Sequence, residues 1–427
     1  MQVTIAIIVM FILFMLNVPV FISILGSSLV YFSLAENLER MIVVQRLIGG
    51  IESIPLLAIP FFVMAGVCMN YTGITKRMLR FAEVLTGHLP GGLAQVNIVL
   101  STAMGGLSGS SIADAAMQSK MIVPEMVKRG YSNAFATAVT GASALITPII
   151  PPGVSLILFG YIANVSIGKL FLAGVIPGLM TCALMMVAVH IVSKKRGYLP
   201  IREKAARPKE ILIASKDAIL AMLLVVVIIG GIRLGIFTPT EAGSIAVVYA
   251  LILGVLVYRE MKVNDIKLAL QETVTTTASI MLIMGAAGSV SWFLTWERIP
   301  QLASEYVLSV VSTPAMFLLA INIFLLIIGM FFEGNAAMIV LIPILMPMVT
   351  ALGIDPVHFG MTFIFNMAVG SLSPPMGTVM FTTCSITGVS IKDFIKEAWP
   401  FYIVLVICLF IITYIPFIST FLPNLLM

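Results

Sequence analysis

The sequence predicts an all-α, polytopic membrane protein made of two inverted repeats, with two re-entrant helical hairpins and broken helices. Three observations predict it. Hydrophobic residues fill 60% of the 427 positions and charged residues only 10%, against about 25% charged in soluble domains. Apolar stretches of about 20 residues, each enough for a hydrocarbon core about 30 Å thick, recur from end to end. A soluble helical protein would show amphipathic stripes instead. Finally, Pro124, Gly130, Pro151, Pro152 and Pro177 return 223 residues later as Pro347, Gly353, Pro374, Pro375 and Pro400, with Gly106 and Gly329 at the same offset.

Residues 1–16 carry no basic segment, and no small-residue cleavage site precedes Pro19. The start therefore reads as a retained apolar segment running to Phe32 and bent at Pro19, not as a cleaved signal. Crossings are expected near 4–34, 54–70, 132–165, 169–193, 218–234, 240–258, 273–293, 357–386 and 398–416. Stretches 92–127 and 314–350 are long enough to enter and return, and each is interrupted by a polar, glycine-bearing spot. The segments 36–52 and 259–272 are too polar to cross. They are expected to lie in the interface as amphipathic helices, with ordinary connecting loops as the alternative.

Charge supplies the sidedness. Lys194, Lys195, Arg196, Arg202, Lys204, Arg207, Lys209 and Lys216 face only Glu203, Glu210 and Asp217, so the loop 194–217 carries the whole net charge of +5. Basic residues in short loops mark the cytoplasmic side. No nucleic-acid partner is implied. With that loop cytoplasmic and both interrupted stretches as hairpins, Lys76, Arg77, Arg80, Lys128, Arg129, Arg259, Lys262, Lys267, Lys392 and Lys396 fall on the same side. Only Arg40, Arg46, Lys169, Arg233 and Arg298 fall opposite. Full crossings in place of the hairpins would weaken this bias. Five crossings separate equivalent points of the repeat, so the two halves have opposite orientation, a hallmark of secondary transporters.

Each half holds two interruptions: a hairpin tip and a double-proline break. Proline cannot continue the helical ladder, and carbonyls freed in lipid cost several kcal/mol each unless satisfied. A bound Na+, hard and oxygen-seeking, can satisfy them. One candidate site uses Ser108, Gly109, Ser110 and Ser111 with Thr147, Pro151 and Gly153. Its symmetry mate uses Glu333, Gly334 and Asn335 with Gly370, Ser371, Ser373, Gly377 and Thr378. Plain helix kinks are the alternative; four breaks paired by a repeat and flanked by hydroxyls speak for ions. Helix N-termini at the tips attract anions, which places a substrate carboxylate among Gly106, Ser110, Asp114, Pro152, Asn335 and Pro375. Asp114 stands at capping-box spacing from Ser111, so it reads equally as a helix cap or as a neighbour of the ion. Glu333 is either solvated on the outer face or, at mid-membrane, in need of a partner. His88, His190 and His358 are isolated, the four cysteines are scattered singly, and no HExxH or CxxC motif occurs. Neither a transition-metal site nor an intramembrane enzyme is expected.

The stretch 11–32, the run Ile59-Pro60-Phe61-Phe62-Val63-Met64-Ala65-Gly66, the tip Gly109-Ser110-Ser111-Ile112-Ala113-Asp114, and the breaks Pro151-Pro152-Gly153 and Pro374-Pro375-Met376-Gly377 resemble the large membrane subunit of tripartite ATP-independent periplasmic (TRAP) transporters. The resemblance covers essentially the whole chain. It implies a sodium-coupled, elevator-type ion-transporter fold in the bacterial inner membrane, with no enzymatic activity. It implies two partners, a small four-helix membrane subunit and a periplasmic substrate-binding protein, and an organic-acid substrate, sialic acid first and a C4-dicarboxylate next. A fused small subunit is not expected at this length. On this pattern the single membrane unit 1–427 divides into scaffold 1–91, transport element 92–168, scaffold 169–313 with the interfacial arm 259–272, transport element 314–397 and a C-terminal helix 398–427. A self-sufficient carboxylate carrier with no binding protein shares the fold and stays open.

Overall fold

Both hairpin expectations can be checked by asking where each interrupted stretch begins and ends. The computed structural model describes residues 2–16, 18–35, 38, 39, 41–311 and 313–427. Arg40, counted above on the outer side, lies outside the described residues, as do three positions of the segment 36–52. Among the described residues all regular structure is helical, and eight helices are long and apolar enough to cross a bilayer.

The chain opens with α1 (Gln2–Met15) and α2 (Val20–Leu34). They are antiparallel: the Gln2 amide donates to the Leu34 carbonyl at 2.8 Å, and the Ser27 hydroxyl to the Ala6 carbonyl at 2.9 Å. The expected single crossing over 4–34 is therefore a helical hairpin. Fourteen or fifteen residues make a helix about 21–22 Å long, and Pro19 enters α2 without an N–H to extend α1. Then come α3 (Met41–Gly49), α4 (Ala58–Tyr71), preceded by a short 3-10 turn, and α5 (Ile74–Thr86).

The first hairpin is α6 (Gly92–Ser108) and α7 (Ser111–Met121), continued by α8 (Val123–Lys128). Its two ends meet one loop. The Gly91 N–H donates to the Tyr198 carbonyl at 3.1 Å, and the Ser132 N–H to the Tyr198 hydroxyl at 3.3 Å. The stretch thus leaves and returns on the face of loop 194–217. A broken helix follows, α9 (Asn133–Ala144) and α10 (Val154–Ile162), then α11 (Ile167–Arg196), α12 (Pro208–Arg233) and α13 (Pro239–Leu251), which ends in a π turn. Next is α14 (Val263–Trp296), continuous over 34 residues. The expected interfacial arm 259–272 is thus not a separate helix: most of it is the first turns of α14, whose Leu, Lys, Gln and Glu residues all favour helix. A short α15 (Ile299–Val310) leads to the second hairpin, α16 (Pro314–Phe331) and α17 (Gly334–Ala351). Its ends also meet at one place: the Tyr414 hydroxyl donates to the Ala315 carbonyl at 3.3 Å, and His358 Nε2 lies 3.0 Å from the Thr413 carbonyl. The second broken helix is α18 (Pro356–Leu372) and α19 (Thr378–Thr387), followed by α20 (Ile391–Tyr414) and α21 (Phe417–Leu426). The C-terminal helix expected at 398–427 is therefore two helices. The first starts earlier, where the Ser390 hydroxyl accepts the Asp393 N–H at 3.1 Å.

The hairpins open from opposite faces. Glu397, near the start of α20, pairs with Arg196 beside the loop at 2.5 Å, while Thr413 and Tyr414 at the other end of α20 hold the second hairpin. The ion pairs among the described residues all join groups assigned to the loop face: Arg77–Glu260, Arg80–Asp217, Lys128–Glu125, Arg196–Glu397 and Arg202–Glu210. Lys204 is exposed there. A Lys204→Cys protein, with the native cysteines replaced, is expected to resist membrane-impermeant maleimide in intact cells and to react after lysis. Labelling from outside would reverse the topology.

Helices α4, α13 and α14 pack together, with α2 and α3 on α14 and α12 on α5 and α13. A second bundle is formed by α6, α9 and α11 with α16, α18 and α20. Helix α11 packs on α6, α10, α18, α20 and α21, so the division drawn at 169 cuts through this second bundle. Within it the repeats interlock: α7 packs on α19, and α17 on α10.

Candidate functional site

At the first tip, Gly109 is left-handed (φ 61°), and a Cβ there would stand 3.0 Å from the Gly153 Cα. Glycine thus lets tip and break touch. Ser110 caps α7, its hydroxyl accepting the Ala113 N–H at 3.4 Å. At the second tip, 223 residues on, Glu333 caps α17, its carboxylate accepting the Ala336 N–H at 3.0 Å. The caps are equivalent in position and differ in charge. Glu333 is half-buried, and its carboxylate is turned to the start of its own helix.

The breaks are rich in backbone oxygen. A Cβ on Gly153 would sit 2.5 Å from the Pro148 carbonyl oxygen. One on Gly377 would sit 2.6 Å from that of Ser371 and 2.7 Å from that of Ser373. The Pro151–Pro152 and Pro374–Pro375 bonds are both cis. The Ser371 hydroxyl donates to the Ala368 carbonyl at 2.7 Å and that of Ser373 to the Val369 carbonyl at 3.0 Å.

Asp114 is 2% exposed. It is not the helix cap; Ser110 is. Its carboxylate accepts the Ser101 hydroxyl at 2.7 Å, the Thr147 hydroxyl at 3.2 Å and the Gln118 amide at 2.7 and 2.8 Å. This joins hairpin to break and runs on through Ser143 to Asn97. The second half has a neutral counterpart: the Asn366 amide donates to Asn322 at 2.7 Å and the Asn322 amide to Thr413 at 3.0 Å. Asn366 stands 223 residues after Ser143.

Tips and breaks converge on one cavity of about 380 Å³. From the first tip Ser108, Gly109, Ser110 and Ser111 line it; from the second, Glu333, Gly334 and Asn335; from the second break, Ser371 and Thr378. The Ser155 hydroxyl donates to Asn335 at 2.9 Å, bridging the halves. Thr147, Pro151, Gly153, Gly370, Ser373 and Gly377 stand behind this lining. Four of the substrate candidates do not line the cavity either. Gly106 faces Val225 and the Pro151 carbonyl, Asp114 faces its own network, Pro152 packs on Gly109, and Pro375 is exposed. Pro148 and Ser155 line the cavity without having been singled out, as do Asn70 of α4 and Glu272 and Thr276 of α14. The last two had a signal: 272, 276 and 280 lie at helical spacing on one face.

Inverted repeats that bring two hairpin tips and two helix breaks to one central cavity define a multi-pass transport permease. The profile described as "Tripartite ATP-independent periplasmic transporter, DctM component" matches residues 7–418. The chain is 39% identical to the sialic acid TRAP transporter large permease protein SiaM of Vibrio cholerae, over 96% of this chain and 95% of that one. It is 36% identical to the C4-dicarboxylate TRAP transporter large permease protein DctM of the same species, with the same coverage. The chain belongs to the DctM family of TRAP transporter large permeases. A crystal structure of the YdaH transporter of Alcanivorax borkumensis shares the fold, with a TM-score of 0.58 at 13% identity, over 87% of this chain and 86% of that one.

Proposed function

We propose that this chain is the sodium-coupled membrane subunit that imports an organic acid, sialic acid first and a C4-dicarboxylate next, across a bacterial inner membrane. A periplasmic binding protein delivers the acid, and a small four-helix membrane subunit completes the transporter. The bundle of hairpins and broken helices carries the site as a unit past the bundle of α4, α13 and α14, an elevator motion. The observation that carries this reading is the one cavity onto which both tips and both breaks open, the first break through Pro148 and the second through Ser371 and Thr378. The donor set suits Na+: neutral hydroxyls from Ser108, Ser110 and Ser111, and the carbonyls of Pro148, Ser371 and Ser373 crowded at Gly153 and Gly377. Such oxygens hold a hard cation without placing formal charge in the membrane. A volume near 380 Å³ falls in the range of about 300–1,000 Å³ typical of sites for drug-sized ligands, which supports the larger acid.

The test is uptake by proteoliposomes holding both membrane subunits, with sialic acid and succinate as substrates. Uptake is expected to fall at least tenfold when either Na+ or the binding protein is left out. Full uptake without the binding protein would establish the self-sufficient carrier instead, and full uptake without Na+ would remove the coupling ion.

A further inference from the structure

The cavity has two walls of different kinds. The tips and breaks form one. The other comes from α4 and α14, in the bundle that stays still under the reading above. On this second wall Asn70, Glu272 and Thr276 face the cavity. Among the described residues Glu272 is the only charged one on this wall, and no Lys, Arg or His lines the cavity at all. Glu272 is exposed and takes part in none of the ion pairs.

Its depth is fixed by the helices. Glu272 lies nine residues into α14, about 14 Å from its start, on the loop side. Asn70 is next to the last residue of α4, just before the corner where Arg77 pairs with Glu260. Beyond mid-helix, marked by Val63 of α4 and Ile280 of α14, neither helix lines the cavity further toward the outer face among the described residues. The cavity therefore runs from the tips toward the loop face, and Glu272 stands along that exit.

We propose that Glu272 promotes release: it is a carboxylate fixed to the stationary wall that opposes the substrate's carboxylate only after the moving bundle has carried it to the loop face. The inference rests on the organic-acid and elevator reading. Like charges repel, and more strongly where protein replaces part of the water. With the moving bundle outward, the tips lie away from Glu272 and the penalty vanishes. The acid thus weakens binding in one state only, which is what biases a two-state carrier. Asn70 and Thr276 are neutral and hydrogen-bonding, so they add no such asymmetry.

The experiment uses both membrane subunits in proteoliposomes, with binding protein added outside so that only outward-oriented molecules count. The lumen is loaded with sialic acid or succinate, whichever the wild type takes up. Glu272→Gln is expected to lower the lumenal concentration that half-inhibits uptake about tenfold, equivalent to about 1.4 kcal/mol, and to leave the external KM within about twofold. Glu272→Asp should keep the wild-type value. Thr276→Lys, one turn along the same face, should act like Glu272→Gln and serves if that variant fails to insert. Unchanged lumenal inhibition, or equal shifts on both sides, overturns the inference while the transport reading stands. A wild type that takes up neither acid removes both.

Discussion

Gly370→Val is expected to cut uptake below about 1% of wild type and to lower the melting temperature of the solubilised protein. A Cβ at Gly370 would stand 2.6 Å from the Gly329 Cα and 2.8 Å from the Gly329 carbonyl carbon. Those are backbone atoms, so no side-chain rotation relieves the clash, and overpacking of this kind costs about 1–3 kcal/mol or more. Helices α16 and α18 would have to part, taking with them the Asn366–Asn322 bonds and the link to Thr413. That displaces the second tip, which lines the cavity. The repeat-equivalent of Gly329 makes the control. A Cβ on Gly106 would first meet the Val225 side chain, at 2.6 Å, which can turn away. Gly106→Ala should therefore keep more than half of the uptake. A Gly370→Val protein transporting at a tenth of the wild-type rate or better would show that hairpin and broken helix separate without cost.

The prolines and glycines made much of this fold legible before any coordinates. They recur at one offset, and the pairs Pro151-Pro152 and Pro374-Pro375 fall where a helix stops, so the breaks could be placed to within a residue or two, whereas Pro177, Pro347 and Pro400 of the same repeat lie inside continuous helices. Hydropathy was less able. It treats 4–34 as one apolar run because both helices and most of the turn between them are apolar, and only Pro19 hints at the turn. It also cut α14 at residue 272, where polarity changes but helix propensity does not. The site was half legible. Ser108 to Ser111 and Glu333 to Asn335 line the cavity. Ser373 does not, because its hydroxyl is turned to the Val369 carbonyl, a choice that depends on side-chain rotation. Glu272 was missed for another reason. Its spacing with Thr276 and Ile280 marks one face of α14, but that this face meets the cavity depends on two bundles distant in sequence.

Asp114 separates the ion-binding reading from a purely structural one. It is a buried carboxylate in the bundle of hairpins and broken helices, and no Lys, Arg or His pairs with it among the described residues. An acidic charge at membrane depth costs about 2.5–3.5 kcal/mol on insertion scales, and a buried charge needs a partner of opposite sign. The coupling cation, held at the first tip and break, would be that partner, with the Ser101 and Thr147 hydroxyls orienting the carboxylate toward the break. Asp114→Asn keeps the shape and removes the charge. It is expected to insert normally, to raise the Na+ concentration for half-maximal uptake at least tenfold, about 1.4 kcal/mol, and to lower the charge moved per substrate. Asp114→Ala should do worse. It removes the acceptor that Ser101, Thr147 and Gln118 share, leaving Ser101 only Ser143, Thr147 only the Ser101 carbonyl and Gln118 only the Ser101 hydroxyl, and should reduce the folded yield as well as uptake. Normal sodium dependence in Asp114→Asn, with Asp114→Ala alone impaired, would make Asp114 a hydrogen-bond acceptor that fastens the first hairpin to its break, and the cation would then have to sit among neutral oxygens only.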